Sequence, residues 1–270
     1  MRQLIVNADD FGFTRDVNQG IVQAYRKGIL TATTLMANGD AFDDAVELAR
    51  ANADLDIGCH LVLIGGRSLA SGERLPEGIR QLATAVMLRR LHPYEELRPQ
   101  VERILSTGIR PTHLDSHKHT HLLPRVLDAV CRISEEFGIP WIRRPFDFPI
   151  SGRTHGVPVT QRLVNHSMRS VRGSLQQTLQ RHGCRMTDHF AGFQFTGRFR
   201  AQELLLLFPA LPEGTTEFMC HPGVCTDELR AAPTRLKESR EEELRALTDP
   251  AVRDLLQREG VQLTSFRQLP

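Results

Sequence analysis

Histidine and aspartate side chains are concentrated in one short stretch of the sequence. Residues 113–121 read HLDSHKHTH and hold four of the chain's 11 histidines together with Asp115. Neutral imidazole is the commonest nitrogen ligand of zinc and related metals, so the stretch indicates a metal site. A cluster of hydrogen-bonded histidines at a strand end is the alternative interpretation. We expect His117, His119 and His121 to alternate along an extended segment and to share one side of it.

Three further polar clusters each follow a short apolar run. Asp9 and Asp10 end the first run, His60 ends the run that contains Gly58 and Cys59, and His221 precedes a Pro-Gly turn. The carboxyl ends of parallel strands lie on one face of an α/β fold, and active sites form there. We therefore expect the four clusters to line one pocket of carboxylates and imidazoles.

The residue types in these clusters suggest different chemical tasks. Adjacent carboxylates such as Asp9 and Asp10 repel each other unless a cation or donor compensates, and on a strand they point to opposite sides. One could bind a metal and the other a water, although one could instead cap the following helix. His221, fixed by its turn, is a candidate general acid, with a simple turn histidine as the alternative. A lone histidine such as His60 is often a hydrogen-bonded core residue, but its place beside the other clusters favours ligation.

Short apolar runs alternate with amphipathic segments along the whole chain. The apolar runs predict strands over Leu4–Ala8, Thr33–Ala37, Ile57–Leu63, Pro111–Ser116, Trp141–Arg143, Glu217–Cys220 and Val261–Ser265, with a weaker strand or loop over Asp188–Phe195. The amphipathic segments predict helices over Asp16–Lys27, Phe42–Ala51, a stretch that ends at Ser106, Arg125–Phe137, Thr160–His182, Gln202–Pro209, Thr234–Ala246 and Ala251–Glu259.

Local signals mark several boundaries of these elements. Thr14 is a candidate N-cap, Pro124 suits the first turn of a helix, and Gly138 suits a helix end. Residues 64–76 and 144–158 are predicted loops. Repeated βα alternation predicts a parallel sheet with helices outside it, and no repeat or linker divides residues 1–270 into two domains.

Composition excludes several classes of protein. The 270 residues include 34 Lys and Arg against 32 Asp and Glu, and this net charge of +2 gives no electrostatic argument for a nucleic-acid partner. No run approaches the ~20 apolar residues of a membrane span, and we expect no secretory signal at the N-terminus, where an apolar core and a small-residue cleavage site are not found. We expect no integral membrane segment, a cytoplasmic location and reduced thiols at the five scattered cysteines. Serine hydrolase, kinase and dehydrogenase motifs are absent from the sequence.

Four segments together resemble the YdjC family of carbohydrate deacetylases, which includes chitooligosaccharide and hopanoid-biosynthesis deacetylases. They are LIVNADDFG at 4–12, GCHL at 58–61, PTHLDSHKHTH at 111–121 and MCHPG at 219–223. The resemblance runs from residue 1 to about residue 265, with the motifs in the family's order. It implies a single-domain α/β fold of TIM-barrel type, a distorted (β/α) barrel.

The resemblance also implies roles for individual residues. Asp10, His60 and His117 would bind one divalent metal ion, with His119 or His121 as a possible replacement for His117. Asp9 would be the general base and His221 the acid that protonates the leaving amine. Lys118 stands where some relatives carry another histidine, and we expect its cation to point away from the metal. Ligand type favours zinc-like ions, whereas family members are often described with magnesium, so the choice between Mg²⁺ and Zn²⁺ stays open.

The function implied is a metal-dependent hydrolase that removes acetyl groups from a small N-acetylated sugar or oligosaccharide, with a homodimer left open. A metal-dependent phosphoesterase is one alternative, and it would want a basic phosphate clamp, for which Arg143 and Arg144 are the nearby pair. A non-catalytic metal- or sugar-binding protein is another, but it would not need Asp9 and His221. We expect one of the two arginines to reach the pocket, where it would orient Asp9 or bind a sugar hydroxyl.

Overall fold

The computed structural model describes residues 1–149 and 171–270. Within these ranges, eight strands form one sheet, and each strand pair is parallel. The strands are β1 (Arg2–Phe11), β2 (Ala32–Leu35), β3 (Asp56–Leu61), β4 (His113–Ser116), β5 (Trp141–Ile142), β6 (His189–Ala191), β7 (Gly214–Cys220) and β8 (Val261–Leu263). Their order is β5-β4-β3-β2-β1-β7-β6, and β8 pairs with the first residues of β1.

The two edges of this sheet approach each other. Isolated parallel bridges join Trp141 to Arg185 and Asp147 to Phe190, so the segments that flank β5 and β6 close the curl. Helices cover the outside, as right-handed βα connections between parallel strands require. The fold class predicted above, an α/β distorted barrel, is confirmed.

The helices follow the strands in chain order. They are α1 (Arg15–Lys27), α2 (Phe42–Arg50), α3 (Ile79–Met87), α4 (Pro93–Ser106), α5 (Pro124–Phe137), α6 (Arg172–Arg181), α7 (Ala201–Leu207), α8 (Asp227–Ala231), α9 (Glu238–Thr248) and α10 (Pro250–Arg258). Thr14 caps α1 by accepting a hydrogen bond from Val17 N, α5 begins at Pro124, and Gly138 ends α5 with a φ of 65°. No helix in the described ranges is long and apolar enough to cross a membrane. All five cysteines are buried and free.

Several predicted boundaries differ from the structure. The first strand continues to Phe11, so Asp9 and Asp10 belong to the strand itself. The helix predicted over Thr234–Ala246 begins only at Glu238, because Thr234 Oγ1 accepts a hydrogen bond from Leu236 N and holds a turn there. Helix α8 was not predicted. The helix predicted over 160–182 and the loop predicted over 144–158 lie partly outside the described residues.

The interior of the barrel is apolar at the amino ends of the strands and polar at their carboxyl ends. Near the amino ends of the strands, Phe266 packs with Ile5 and Ala32 and stacks on the His113 ring at 3.9 Å. One layer further up, His113 Nε2 lies 3.1 Å from Asn7 Oδ1. The layers at the carboxyl ends of the strands are charged. The apolar packing that stabilises the fold therefore lies at the amino ends of the strands and between the sheet and the helices. The carboxyl ends of the strands, which we call the top of the barrel, carry polar side chains.

Gly58 on β3 is needed because the His113 ring occupies the space beside it. A Cβ on Gly58 would lie 2.6 Å from three atoms of that ring, which Phe266 holds from the other side. We predict that Gly58→Ala lowers the free energy of unfolding by about 1–3 kcal/mol through overpacking, measured by urea denaturation. Gly173→Ala is the matched control, because Gly173 is exposed on α6 and no atom lies near the position of an added Cβ. This substitution should leave the free energy of unfolding unchanged or raise it slightly. Equal effects of the two substitutions would contradict this account.

Candidate active site

Asp10, His60 and His117 meet at the carboxyl ends of β1, β3 and β4. Asp10 Oδ1 lies 3.3 Å from His60 Nε2 and 3.2 Å from His117 Nδ1, and the two histidine nitrogens are 3.3 Å apart. Asp10 and His60 are buried, whereas the His117 side chain is partly exposed, so the cluster has an open side. The structure thus brings together the three residues predicted to bind a metal.

The donor atoms fit a divalent ion. Three donors that bind one ion at about 2.0–2.1 Å with tetrahedral angles lie about 3.3 Å apart, which is the separation found here. Asp10 Oδ1 is buried, and no described residue offers it a well-aligned hydrogen bond, although two imidazole nitrogens face it. The carboxylate oxygen and the two imidazole nitrogens therefore surround one common point. The three residues form a group that could hold a metal ion at that point.

His60 is oriented by its second nitrogen. Nδ1 lies 2.7 Å from Asp115 Oδ1 and 3.2 Å from Thr34 Oγ1, which leaves Nε2 directed at Asp10. Burial lowers the pKa of His60, but Asp115 and Asp10 outweigh burial and raise it to about 10. A cation at this point would therefore compete with a proton on His60. The carboxylate behind the imidazole is the arrangement that commonly supports a ligating histidine.

The histidine stretch does not adopt the expected extended form. Residues 117–122 form a 3₁₀ turn in which Lys118 and His119 have positive φ angles of 55° and 52°. His117 therefore faces Asp10, while the exposed Lys118 lies on the outside of the turn. His121 Nδ1 lies 2.5 Å from Ser116 Oγ, and its Nε2 lies 3.2 Å from the Arg143 carbonyl. The prediction that the three histidines share one side was wrong, because two left-handed residues rotate the chain between them.

His119 has a different environment from its neighbours. Its ring is buried against Phe190 and Phe193, with centroids 6.3 and 5.5 Å away. Nδ1 has no hydrogen-bond partner within the described part of the chain, and burial holds the pKa of His119 well below its ordinary value. His119 is therefore a neutral imidazole beside an aromatic wall, not a member of the Asp10 cluster.

Arg143 binds three buried carboxylates at once. Nη1 and Nη2 donate to the two oxygens of Asp9 at 2.7 Å, and Nε donates to Glu217 Oε1 at the same distance. Nη1 also lies 2.7 Å from Asp115 Oδ2. Arg144 instead donates to the Asp188 carbonyl. Arg143 is thus the arginine that reaches Asp9, and it joins Asp9 to the Asp115 that orients His60.

The three carboxylates around Arg143 differ in their electrostatics. Burial raises the pKa of Asp9, and Asp115 raises it further, while Arg143 opposes both. For Asp115, burial is outweighed by Arg143 and His60, which hold the pKa below its usual range. Burial raises the pKa of Glu217 to about 7 despite Arg143, and Glu217 Oε2 has no hydrogen-bond partner among the described residues. The positive charge of Arg143, with help from His60, therefore outweighs burial at Asp115, whereas at Asp9 and Glu217 burial outweighs it.

His221 lies near Asp9. Its Nε2 is 3.8 Å from Asp9 Oδ2, and its backbone N–H donates to Glu243 Oε2 at 2.6 Å. Burial lowers the pKa of His221 to about 3, and Arg240 and Arg143 add to this effect, while Asp10 opposes it. The imidazole is therefore neutral at rest. His221 and Asp9 therefore lie next to each other and close to the cluster of Asp10, His60 and His117.

Three charged residues of the site were missed in the sequence. Arg240 and Glu243 lie on α9, where they are buried, and Glu217 lies on β7. Arg240 Nη2 donates to Asp10 Oδ2 at 2.5 Å, and Glu243 also accepts from Gly197 N at 2.7 Å. A signal was present: both α9 residues fall among the apolar positions of the helix face that packs inward. Charges at such positions need partners inside the protein.

The fold and site together define a class. This is a distorted (β/α) barrel with an Asp-His-His cluster, a buried Asp–Arg pair and a histidine at the carboxyl ends of its strands. The family model described as YdjC-like protein matches residues 3–258, and the chain belongs to this family. A carbohydrate deacetylase from Geobacillus stearothermophilus is 33% identical over 99% of this chain and 98% of its own. One from Brevibacillus brevis is 32% identical over 99% of each chain.

Solved structures show the same fold. A candidate cellobiose-phosphate cleavage protein from Enterococcus faecalis V583 matches with a TM-score of 0.73 and 22% identity, over 98% of both chains. The lactam utilization protein from Thermus thermophilus matches with a TM-score of 0.51 and 14% identity, over 97% of this chain and 99% of its own. At these identities the likeness supports the barrel architecture alone.

Glu217 should make stability depend on pH. Its pKa is raised from an ordinary 4.5 to about 7, so the folded state holds its proton more tightly than the unfolded state does. This contribution is fully present below pH 4.5 and is lost as the pH rises through 7. We predict that Glu217→Gln removes about 1–3 kcal/mol of the fall in unfolding free energy between about pH 5 and 8. The exposed Glu47→Gln is the control, and parallel pH profiles for wild type and Glu217→Gln would contradict the prediction.

Proposed function

We propose that this chain is a metal-dependent carbohydrate deacetylase that hydrolyses the amide of a small N-acetylated sugar. The observation that carries the proposal is the placement of a carboxylate and a histidine beside one ligand cluster. Asp9 and His221 approach to 3.8 Å next to Asp10, His60 and His117. The relatives named carbohydrate deacetylase, which align over nearly the whole chain, support the substrate class.

Asp10, His60 and His117 would hold the ion. When bound, it would supply a Lewis acid that polarises the acetyl carbonyl and makes a water more acidic. Two imidazoles and one carboxylate oxygen suit zinc and its neighbours better than magnesium, which prefers an all-oxygen shell. The second oxygen of Asp10 is already bound by Arg240, which reduces the negative charge available to a hard cation. We therefore propose a zinc-like ion.

Asp9 would accept the proton of the attacking water. Both of its oxygens are held by Arg143, so the carboxylate cannot rotate away from the space it shares with His221. A general base works best when its pKa approaches the working pH, and burial moves the pKa of Asp9 in that direction. Arg143 would act as a positioning residue, fixing the base without touching the substrate.

His221 would return that proton to the leaving nitrogen. Hydrolysis forms a bond from the water oxygen to the acetyl carbon and breaks the carbon–nitrogen bond, so acetate and an amine leave. The amine nitrogen needs a proton before it departs. His221 is neutral at rest and would receive a proton during turnover from Asp9, whose Oδ2 lies 3.8 Å from Nε2, after the two groups approach to hydrogen-bond distance.

The phosphoesterase alternative finds little support in the site. A phosphoesterase would need a pair of basic side chains free to bind phosphate. Arg143 instead binds three carboxylates, and Arg144 binds the Asp188 carbonyl. Asp9, His60 and Asp115 also form a group that could in principle bind a second ion. The guanidinium of Arg143 already supplies the positive charge beside both of those carboxylates.

Acetate release tests the proposal directly. We predict that the protein releases acetate from N-acetylglucosamine oligomers and no phosphate from sugar phosphates. Chelation should abolish this activity, and added Zn²⁺ should restore it. His60→Ala and His117→Ala should each cut kcat/KM by at least about a hundredfold, whereas His121→Gln, outside the cluster, should retain metal binding by calorimetry. Full activity after chelation, or phosphate release alone, would overturn the proposal.

Asp9 and His221 should be separable by leaving group. We predict that Asp9→Asn and His221→Ala both bind the metal and both lose about 10²–10⁴-fold in turnover of an amide. The alkoxide of an acetyl ester leaves more easily than an amine, so an ester should partly rescue His221→Ala but not Asp9→Asn, which lacks the proton acceptor. Rates on paired amide and ester substrates measure this. The opposite pattern, or loss of metal from Asp9→Asn, would refute the assignment.

A further inference from the structure

Arg240 contacts Asp10 through the oxygen that the two histidines do not face. Its Nη2 donates to Asp10 Oδ2 at 2.5 Å, while Oδ1 faces His60 and His117. Burial opposes ionisation of Asp10, but Arg240 and then the two histidines hold its pKa well below the ordinary value. The two oxygens of one carboxylate therefore have separate partners.

The Arg240 side chain is fixed from several directions. It is buried, and its Nε donates to the Leu236 carbonyl at 3.2 Å. Gly223, in the turn after His221, donates from its backbone N–H to the Arg240 carbonyl at 3.2 Å. A Cβ on Gly223 would lie 3.2 Å from both Cβ and Cδ of Arg240, so the turn passes directly over the side chain. The position of the guanidinium is thus set by α9 and by the turn after β7.

Asp10 needs such support because its backbone is strained. Its φ angle is 70°, in the left-handed region that costs a non-glycine residue about 1–2 kcal/mol. Strained residues persist when their surroundings hold them in place. The Asp10 carbonyl accepts a hydrogen bond from Phe13 N at 3.0 Å, which fixes the turn, and Arg240 fixes the side chain. Without Arg240, Oδ2 would lose its charged hydrogen-bond donor, and the side chain would keep only the contacts of Oδ1 with His60 and His117.

We propose that Arg240 is a positioning residue for the cation: it holds Asp10 in its strained conformation and occupies Oδ2, so that Oδ1 alone is presented beside His60 and His117. The inference rests on the proposed function, because it concerns the same site. Arginine suits this task better than lysine, since its planar guanidinium has a fixed direction. Neighbouring residues that orient a ligand typically change metal affinity by about 10–100-fold when they are removed.

Zinc binding measured by calorimetry tests the inference without relying on turnover. Arg240→Met should weaken Zn²⁺ binding by about 10–100-fold. Arg245→Met makes the same substitution on the same helix, at an exposed side chain paired with Glu242, and should leave the affinity within about twofold of wild type. Arg240→Lys keeps a positive charge beside Asp10. It should lose less affinity than Arg240→Met and more than Arg245→Met.

A double substitution shows whether Arg240 acts through Asp10. Asp10→Asn alone should weaken zinc binding, and adding Arg240→Met should change the affinity by less than about twofold. A further loss of about tenfold in the double variant, or wild-type affinity in both Arg240 variants, would overturn the inference while the metal site stands. Failure of wild type and Arg245→Met to bind zinc would overturn the metal site and the inference together. Circular dichroism identifies any variant that does not fold, and Arg240→Lys then decides the outcome.

Discussion

Three carboxylates are buried side by side at the top of the barrel, and the single guanidinium of Arg143 offsets their repulsion. Asp9 and Glu217 come from the neighbouring strands β1 and β7, whereas Asp115 comes from β4, three places from β1 in the sheet, so the arginine joins β4 to strands with which it does not pair. Removing one partner from a buried ionic network is far more costly than removing an exposed ion pair. Because Asp115 also holds His60, the geometry of the candidate base and that of a candidate ligand depend on the same charge.

Two arginines give the adjacent aspartates different hydrogen-bonding environments. Arg143 binds both oxygens of Asp9, whereas Arg240 binds only one oxygen of Asp10. Asp9 is therefore fixed at both oxygens, whereas Oδ1 of Asp10 is left to face His60 and His117. The positive φ of Asp10 and the register shift between Ala8 and Phe11 interrupt the regular alternation of β1 here, and the two aspartates meet arginines on different elements.

The sequence was informative wherever function follows from position along a strand. Asp9, Asp10, His60 and His221 each come at the end of an apolar run, and parallel strands bring such ends together. The partners that hold these residues were harder to foresee. Arg240 and Glu243 lie far from Asp9 and Asp10 along the chain, and their role depends on how α9 docks against β1 and the turn after β7. Apolar periodicity fixes the buried face of a helix but does not identify the partner of a charge on that face.

Backbone strain is concentrated where the chemistry is expected. Four non-glycine residues in the described ranges have positive φ, and three of them, Asp10, Lys118 and His119, belong to the site or its adjoining turn. The two left-handed residues after His117 turn the chain sharply, so that His117 faces Asp10 while His121 bonds to Ser116 inside the barrel. An unstrained, extended stretch would place alternate histidines on the same side. The strain is therefore what separates one histidine for the candidate metal site from another that supports the barrel.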